Sequence, residues 1–427
     1  MKRAWTRRQA ISLITGASAT TLSGLIRPRK ANARGAKVVV VGGGFGGSAT
    51  ARAIKYLAPG IEVFLIAADA AFVCCPGSNK VIGGFGRIED QTVGYGAIAK
   101  AGVKVIAGRA ETVDADARRV TLADGTVLPY DKLVLSPGIG FHWDEVEGVS
   151  AATAEEIPHS WQAGPQTTLL RRQLEAMPDG GTFALVAPVG PLRCPPAVGE
   201  RVSLVAHYLK TTKPKSKIVV FDAKSKFALQ DLFEEAWEEL YPGMIEYRLA
   251  ETDGIVRAID PETRTVSTDF DDIPADVINF IPRQHAADIT DSAGAMDETG
   301  WCPVDPATFA STRVPHVHVI GDAAFAPPLP KAAATAVSVA ETCAQAIIRD
   351  LTQGAVPDTR WHAGCFSLAA PSHGFEASTD FYNKDGHVAV DEATMNRSPL
   401  GASGEDRAAD AEKAELWLTG IMGKVWG

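Results

Sequence analysis

The stretch AKVVVVGGGFGGSATARAIKYLAPGIEVFLIAAD, residues 36–69, restricts the fold of this chain more than any other. The uninterrupted apolar run Val38–Val41 predicts a parallel strand buried on both faces. Gly42-x-Gly44-x-x-Gly47 predicts a tight turn, Ser48 to Leu57 an alanine-rich helix, and Val63–Ile66 a second strand. One glycine makes the turn, one lets the backbone approach a pyrophosphate, and one lets helix and strand pack closely, while the helix N-terminus faces the phosphates. Gly42, Gly44 and Gly47 are therefore expected to bind a dinucleotide. Ala67 and Ala68 occupy the place where an acid usually receives the ribose hydroxyls, and Asp69 comes slightly late.

Two distant segments extend this site. VPHVHVIGDAA (314–324) reads as a short strand ending in Gly321-Asp322, a pattern in which the aspartate accepts hydrogen bonds from a ribityl chain. YDKLVLSPGIG (130–140) reads as a strand ending in a Pro-Gly turn, and together the segments favour FAD over NAD. Between them, GTFALVAP, PPAVGERVSLVAHYLKTT and KIVVFDA lay out a second strand–helix–strand unit, with Asp222 closing its second strand. Its first turn holds Pro188, Pro191, Pro195 and Pro196. Prolines remove N–H donors and fill the space of a pyrophosphate, so this fold is expected not to bind NAD(P)H.

The expected fold class is α/β, with two Rossmann-like dinucleotide-binding folds and a C-terminal α+β segment. The expected units are an export signal (1–33), an FAD-binding domain (34–150 and 285–350), a second Rossmann-like domain (151–284) and a C-terminal domain (351–427).

With 46% hydrophobic and 22% charged residues the chain is neither disordered nor membranous in composition. Its net charge is −9, yet residues 1–33 hold Lys2, Arg3, Arg7, Arg8, Arg27, Arg29 and Lys30 and no acid. The acidic body argues against nucleic acid and leaves room for a basic protein partner. Arg7-Arg8 before a mild apolar run, with ANA at 31–33, predicts twin-arginine export to the periplasm; the run is too short and hydroxyl-rich for a spanning helix. In that oxidising compartment the six cysteines can include disulfides. Cys194, between Arg193 and Pro195 at the start of a helix, is placed to favour thiolate and thiol–disulfide exchange. Cys365 lies in WHAGCFSLAAPSHG, read as loop-like, and spacing alone pairs no two of the six.

The glycine fingerprint, RCPP followed by GER, ADVINFIP, GWCPVD, HVIGDA with PLPK, and CFSLAAP together resemble the flavoprotein subunit of flavocytochrome c sulfide dehydrogenase, a relative of sulfide:quinone oxidoreductase. The resemblance spans essentially the whole chain beyond the signal. It implies a sulfide dehydrogenase with a redox-active disulfide between Cys194 and Cys365 beside FAD, and a c-type cytochrome, bound or soluble, as electron acceptor. It also implies a thioether to FAD. Alignment of FVCCPGSNKVIGG on Ser78-Asn79 points to Cys75, with the neighbouring Cys74 left as the alternative. Glu200, six residues beyond Cys194, matches the family's acid/base position. Lys331 in PLPKAAA is expected to open a helix near the flavin's pyrimidine edge, where positive charge stabilises the reduced anion.

No C-x-x-C-H haem motif occurs, so a haem acceptor must sit on another chain. No His/Cys spacing makes a metal site. Cys302 and Cys343 read as packing residues, and His316 and His318 as structural residues alternating on a strand. Two other functions compete: a membrane-docked sulfide:quinone oxidoreductase, touching lipid or quinone through AELWLTGIMGKVWG, and a non-catalytic FAD-binding scaffold of a sulfur-oxidation complex.

Overall fold

The computed structural model describes residues 35–352 and 357–427. The expected export signal lies outside the described residues. The valine run forms strand Lys37–Val41, whose last four residues are buried, at the centre of a five-stranded parallel sheet. Across that sheet the order is Val317–Val319, Lys132–Leu135, Lys37–Val41, Glu62–Ala67, Lys104–Ala107, with Val38 opposite both Val63 and Lys132. The sheet thus draws in a strand from far along the chain, which brings the Gly321-Asp322 turn to the fingerprint. Helix Phe45–Leu57 begins three residues earlier than expected and packs against helix Ala333–Thr352.

A second parallel sheet runs Ile245–Arg248, Lys217–Asp222, Thr182–Ala187, Val277–Phe280. Helix Ala197–Thr212 follows the proline-rich turn and buries Val198, Val202, Leu204, Val205 and Leu209.

The C-terminal segment is an antiparallel sheet of Arg360–Ala370, His373–Lys384 and His387–Arg397, covered by helix Gly404–Trp426. The stretch around Cys365 is therefore a strand and not the expected loop. Cross-strand pairing, Cys365 opposite Ala377, holds small residues extended that have little strand preference of their own. The last helix starts at a capping box between Ser403 and Asp406. Its start is not simply solvated: Arg407 is buried and donates to Glu235 Oε1 at 2.7 Å. His316 lies outside strand Val317–Val319, half-buried, with a positive φ of 64°, whereas His318 is fully buried; the two do not share a face.

Candidate active site

The fingerprint turn leaves no room for side chains where the sequence puts glycine. A Cβ on Gly42 would lie 2.2 Å from the Ser136 carbonyl oxygen, and one on Gly47 would lie 1.9 Å from that of Gly42. At Gly44 the nearest atom is Phe72 at 3.4 Å, so the backbone there stays approachable, and Gly44 caps the helix with no side chain of its own. Phe45, Phe72 and Trp426 form a cluster beside the turn, with Phe72 and Trp426 stacked at 5.3 Å. Arg52 donates to the Val425 carbonyl at 2.6 Å, which anchors the end of the last helix on the first.

The site's centre is a pair of sulfurs. All six cysteines are free thiols, and Cys194 and Cys365 lie close enough that each is the largest influence on the other's acidity. The expected disulfide partners are thus side by side, unbridged. Cys194 has φ +53°, in the left-handed region, and its N–H donates to the Lys331 carbonyl at 2.7 Å. That backbone state costs about 1–2 kcal/mol for a residue with a Cβ, so surrounding contacts must hold it. The pair shares its acidity. The Cys194 thiol is pushed well up by Cys365, by burial and by the charge of Glu200, while Cys365 is drawn down by Cys194. The two thiols therefore lose their protons as a pair, in two steps that belong to both sulfurs together.

Glu200 completes the group, its charge acting on both sulfurs. Its Oε2 accepts from Asn79 Nδ2 at 2.7 Å and its Oε1 from the Leu368 N–H at 3.0 Å. Burial raises its pKa against those donors and against the nearby Lys80 and Arg201 cations. Asn79 Oδ1 accepts from Arg201 Nε at 3.0 Å. Arg201 is 2% exposed and also donates to Asn279 Oδ1, Ser160 O and His159 O.

Arg193 joins the remaining predicted residues. Its guanidinium lies close to Cys75 and 4.0 Å from Asp322, and its interactions with them raise its pKa despite burial. Cys75 is partly accessible, whereas Cys74 is fully buried and its thiol is pushed up to about 12 by desolvation. Asp322 follows Gly321, φ +68°, in a one-turn 3-10 helix; burial raises its pKa against Arg193 and Lys331. Lys331 departs from expectation. It precedes helix Ala333–Thr352 by two residues, and its ammonium is bound to the Asp322 and Ala324 carbonyls at 2.8 and 2.7 Å and lies 3.7 Å over the Trp301 ring. It clamps the Gly321–Ala324 turn and offers no free charge to a ligand.

The second fold's crevice is filled from within. Asp222, fully buried, accepts from Lys224 at 2.5 Å and from Tyr247 at 2.6 Å, and Lys224 also reaches the Pro188 carbonyl at 3.0 Å. Cys302 and Cys343 are fully buried. Sequence reading missed Asn79, Arg201 and Gln284, whose Oε1 accepts the Arg193 N–H at 2.9 Å.

An approachable glycine turn before a helix, joined to a Gly-Asp turn and a partly accessible cysteine, defines a dinucleotide-binding flavoprotein of the disulfide-oxidoreductase type. Residues 36–170 match the model of the pyridine nucleotide-disulphide oxidoreductase family, and 167–282 match the central-domain model of the sulfide dehydrogenase [flavocytochrome c] flavoprotein chain. The flavoprotein chain of that name from Chlorobaculum thiosulfatiphilum is 56% identical over 45 residues, which are 10% of this chain and 94% of that relative. The chain belongs to the flavocytochrome c sulfide dehydrogenase flavoprotein family.

A sulfide-quinone reductase of Aquifex aeolicus is 34% identical over 123 residues, 28% of this chain and 29% of that one. Mouse mitochondrial sulfide:quinone oxidoreductase is 22% identical over 312 residues, 70% and 68% of the two chains. The structure of the Aquifex aeolicus sulfide:quinone oxidoreductase superposes with TM-score 0.71 at 19% identity, over 92% of this chain and 91% of that one. The cofactor these relationships indicate is FAD. The residues present fit it: beyond the glycine cradle, the buried donors Trp161 Nε1 and Gln284 Nε2 lack protein partners, and both residues flank the Cys75–Arg193 contact. Two unpaired donors suit a ring system rich in acceptors.

Proposed function

We propose that this protein is a periplasmic sulfide dehydrogenase that oxidises hydrosulfide at the Cys194/Cys365 pair and delivers the electrons to a c-type cytochrome. The observation that carries the proposal is that those two thiols, from separate segments, lie close enough to govern each other's acidity, with the charge of Glu200 acting on both. In the oxidised enzyme the pair is a disulfide. Hydrosulfide bonds to one sulfur, the old S–S bond breaks, and the other cysteine departs as thiolate with the bonding electron pair. Glu200, its pKa raised by burial, takes the proton of the new persulfide. Bound FAD supplies the two-electron acceptor for the thiolate and the relay to a one-electron partner. A second hydrosulfide or thiol then bonds to the outer persulfide sulfur and displaces its cysteine as thiolate. The two cysteine thiolates would re-form their S–S bond as their electron pair passes to bound FAD; net, one hydrosulfide loses a proton and two electrons.

Gly42, Gly44, Gly47 and Asp322 would hold the cofactor, and Cys75, accessible beside Arg193, is the residue for a thioether. The internal use of Asp222 and Lys224 supports a second fold that takes no NAD(P)H. Among the described residues no helix is long and apolar enough to cross a membrane. In the last helix Leu418, Ile421, Val425 and Trp426 are buried and Trp417 is half-buried, which leaves Leu416 exposed; so small an apolar surface favours a cytochrome over a membrane quinone.

Stoichiometric sulfide without oxygen should bleach the flavin in wild type and not in Cys194→Ser. Retained bleaching in the mutant would remove the pair from the reaction, and no bleaching in wild type would restore the scaffold reading. Turnover with cytochrome c against a soluble quinone then decides the acceptor, and a flavin that stays on the chain after acid precipitation in wild type but not in Cys75→Ala establishes the thioether.

A further inference from the structure

We propose that Asn79 is a positioning residue that fixes the Glu200 carboxylate against the cysteine pair, its own amide held in the required orientation by Arg201. The inference rests on the reading of Glu200 as the pair's acid/base group.

Its basis is the direction of each hydrogen bond. A guanidinium only donates, so the Asn79 face toward Arg201 Nε must be the carbonyl oxygen, at 3.0 Å. That leaves the amide NH2 to face Glu200 Oε2, at 2.7 Å. Arg201 cannot turn away, because its other nitrogens are bound to Asn279 Oδ1, Ser160 O and His159 O and its guanidinium lies 4.9 Å over Trp161. Asn79 is 4% exposed, so no water competes freely for the amide. The second carboxylate oxygen is held by the Leu368 N–H, on the strand that carries Cys365. Glu200 is thus gripped from two elements, one fixed through Arg201 to the second sheet and one moving with Cys365. The charged or titratable groups that face it are Lys80 from helix Ser78–Ile82, Arg201 from its own helix, Cys194 from the proline-rich turn and Cys365 from the strand; Lys80 is itself paired to Glu415 at 2.6 Å.

A donor to the carboxylate favours its charged form, so loss of the Asn79 amide should raise the pH at which Glu200 ionises. The test is an infrared titration of the holoprotein, following the protonated-carboxyl band identified by its disappearance in Glu200→Gln. Asn79→Ala should move the midpoint up by about one pH unit, the size expected for one hydrogen bond to a charged group. Asn79→Asp keeps shape and an acceptor for Arg201, which guards against simple misfolding, and sets a second carboxylate against Glu200; its midpoint should rise further. A residue that merely fills space predicts no shift in Asn79→Ala, whereas the charge of Asn79→Asp moves the midpoint in either case and serves as the check that the titration reads Glu200. An unmoved midpoint in Asn79→Ala, with FAD content intact, overturns the proposal. The titration contains no sulfide, so failure of wild type to bleach with sulfide would count against the function alone.

Discussion

Lys331 offers the sharpest test of the energetics around the site. Its side chain is buried, and desolvation holds its pKa down to about 8 from 10.5, against the pull of Asp322. Below about pH 8 both the folded and unfolded chains carry the ammonium, and its full burial cost is present. Between about pH 8 and 10.5 the folded chain holds a neutral amine while the unfolded chain stays protonated. The unfolded state then binds more protons, so stability rises with pH across that window. The shift of 10.5 to about 8 corresponds to roughly 3 kcal/mol. Lys331→Met removes this titration, so the comparison cancels the other lysines and tyrosines. Wild type should gain on the variant by on the order of 3–4 °C in thermal midpoint between pH 7.5 and 10.5, followed by scanning calorimetry of the holoprotein. At neutral pH the variant leaves the Asp322 and Ala324 carbonyls unpaired, and FAD should dissociate faster from the loosened turn. A difference in midpoint that is flat with pH, or that moves in the variant's favour, refutes the assignment of a buried, destabilised ammonium.

Cys365→Ser should bring alkylation of Cys194 by iodoacetamide to lower pH, because the neighbouring sulfur that raises its pKa is gone, while Cys194→Ala, which leaves no donor, should move Cys365 alkylation to higher pH; peptide mass spectrometry at a series of pH values reads both. Gly47→Ala should abolish FAD retention after gel filtration, since the new Cβ meets a backbone oxygen that cannot move aside. Arg201→Met should destabilise the fold by at least about 3 kcal/mol in denaturant titration, because three buried acceptors, Asn79 Oδ1, Asn279 Oδ1 and Ser160 O, lose their donor together. Trp426→Ala should cost about 3–5 kcal/mol and weaken FAD binding, measured by thermal shift and by flavin release.

The first nucleotide turn was legible because its constraints are local: a buried strand, a turn that clashes with any Cβ, and a helix start follow one another within a few residues. The same holds for the proline-rich turn, whose unsuitability for phosphate shows in its missing N–H groups. Pairing between distant segments was not legible. Trp361 to Ala370 mixes Gly, Ala, Ser and Cys, and only the partner strand His373–Lys384 makes it extended. The influence of Cys365 on Cys194 was hidden for the same reason: the immediate neighbour Arg193 favours a thiolate, yet the largest influence comes from a sulfur on a distant strand. Arg201 went unread, although its setting among Val198, Val202, Leu204 and Val205 leaves a helix with little polar face to receive a cation. Lys331 was placed by its charge alone, and nothing local announced that two carbonyls and a tryptophan ring would claim it.

The anchoring of the last helix on the first has a consequence for the order in which the protein is made. Phe45 and Phe72 are covered by Trp426, and Arg52 is tied to a carbonyl 373 residues further along. Synthesis proceeds from the N-terminus, so the first nucleotide fold emerges without its aromatic cover and without strand Val317–Val319 at its edge. Throughout that interval it shows an apolar flank and an unpaired strand edge, the two features that make incomplete folds stick to one another. Loading of a cofactor that needs the finished wall is therefore an event after translation, and a holdase bound to that flank would serve the chain best while its last helix is still being made.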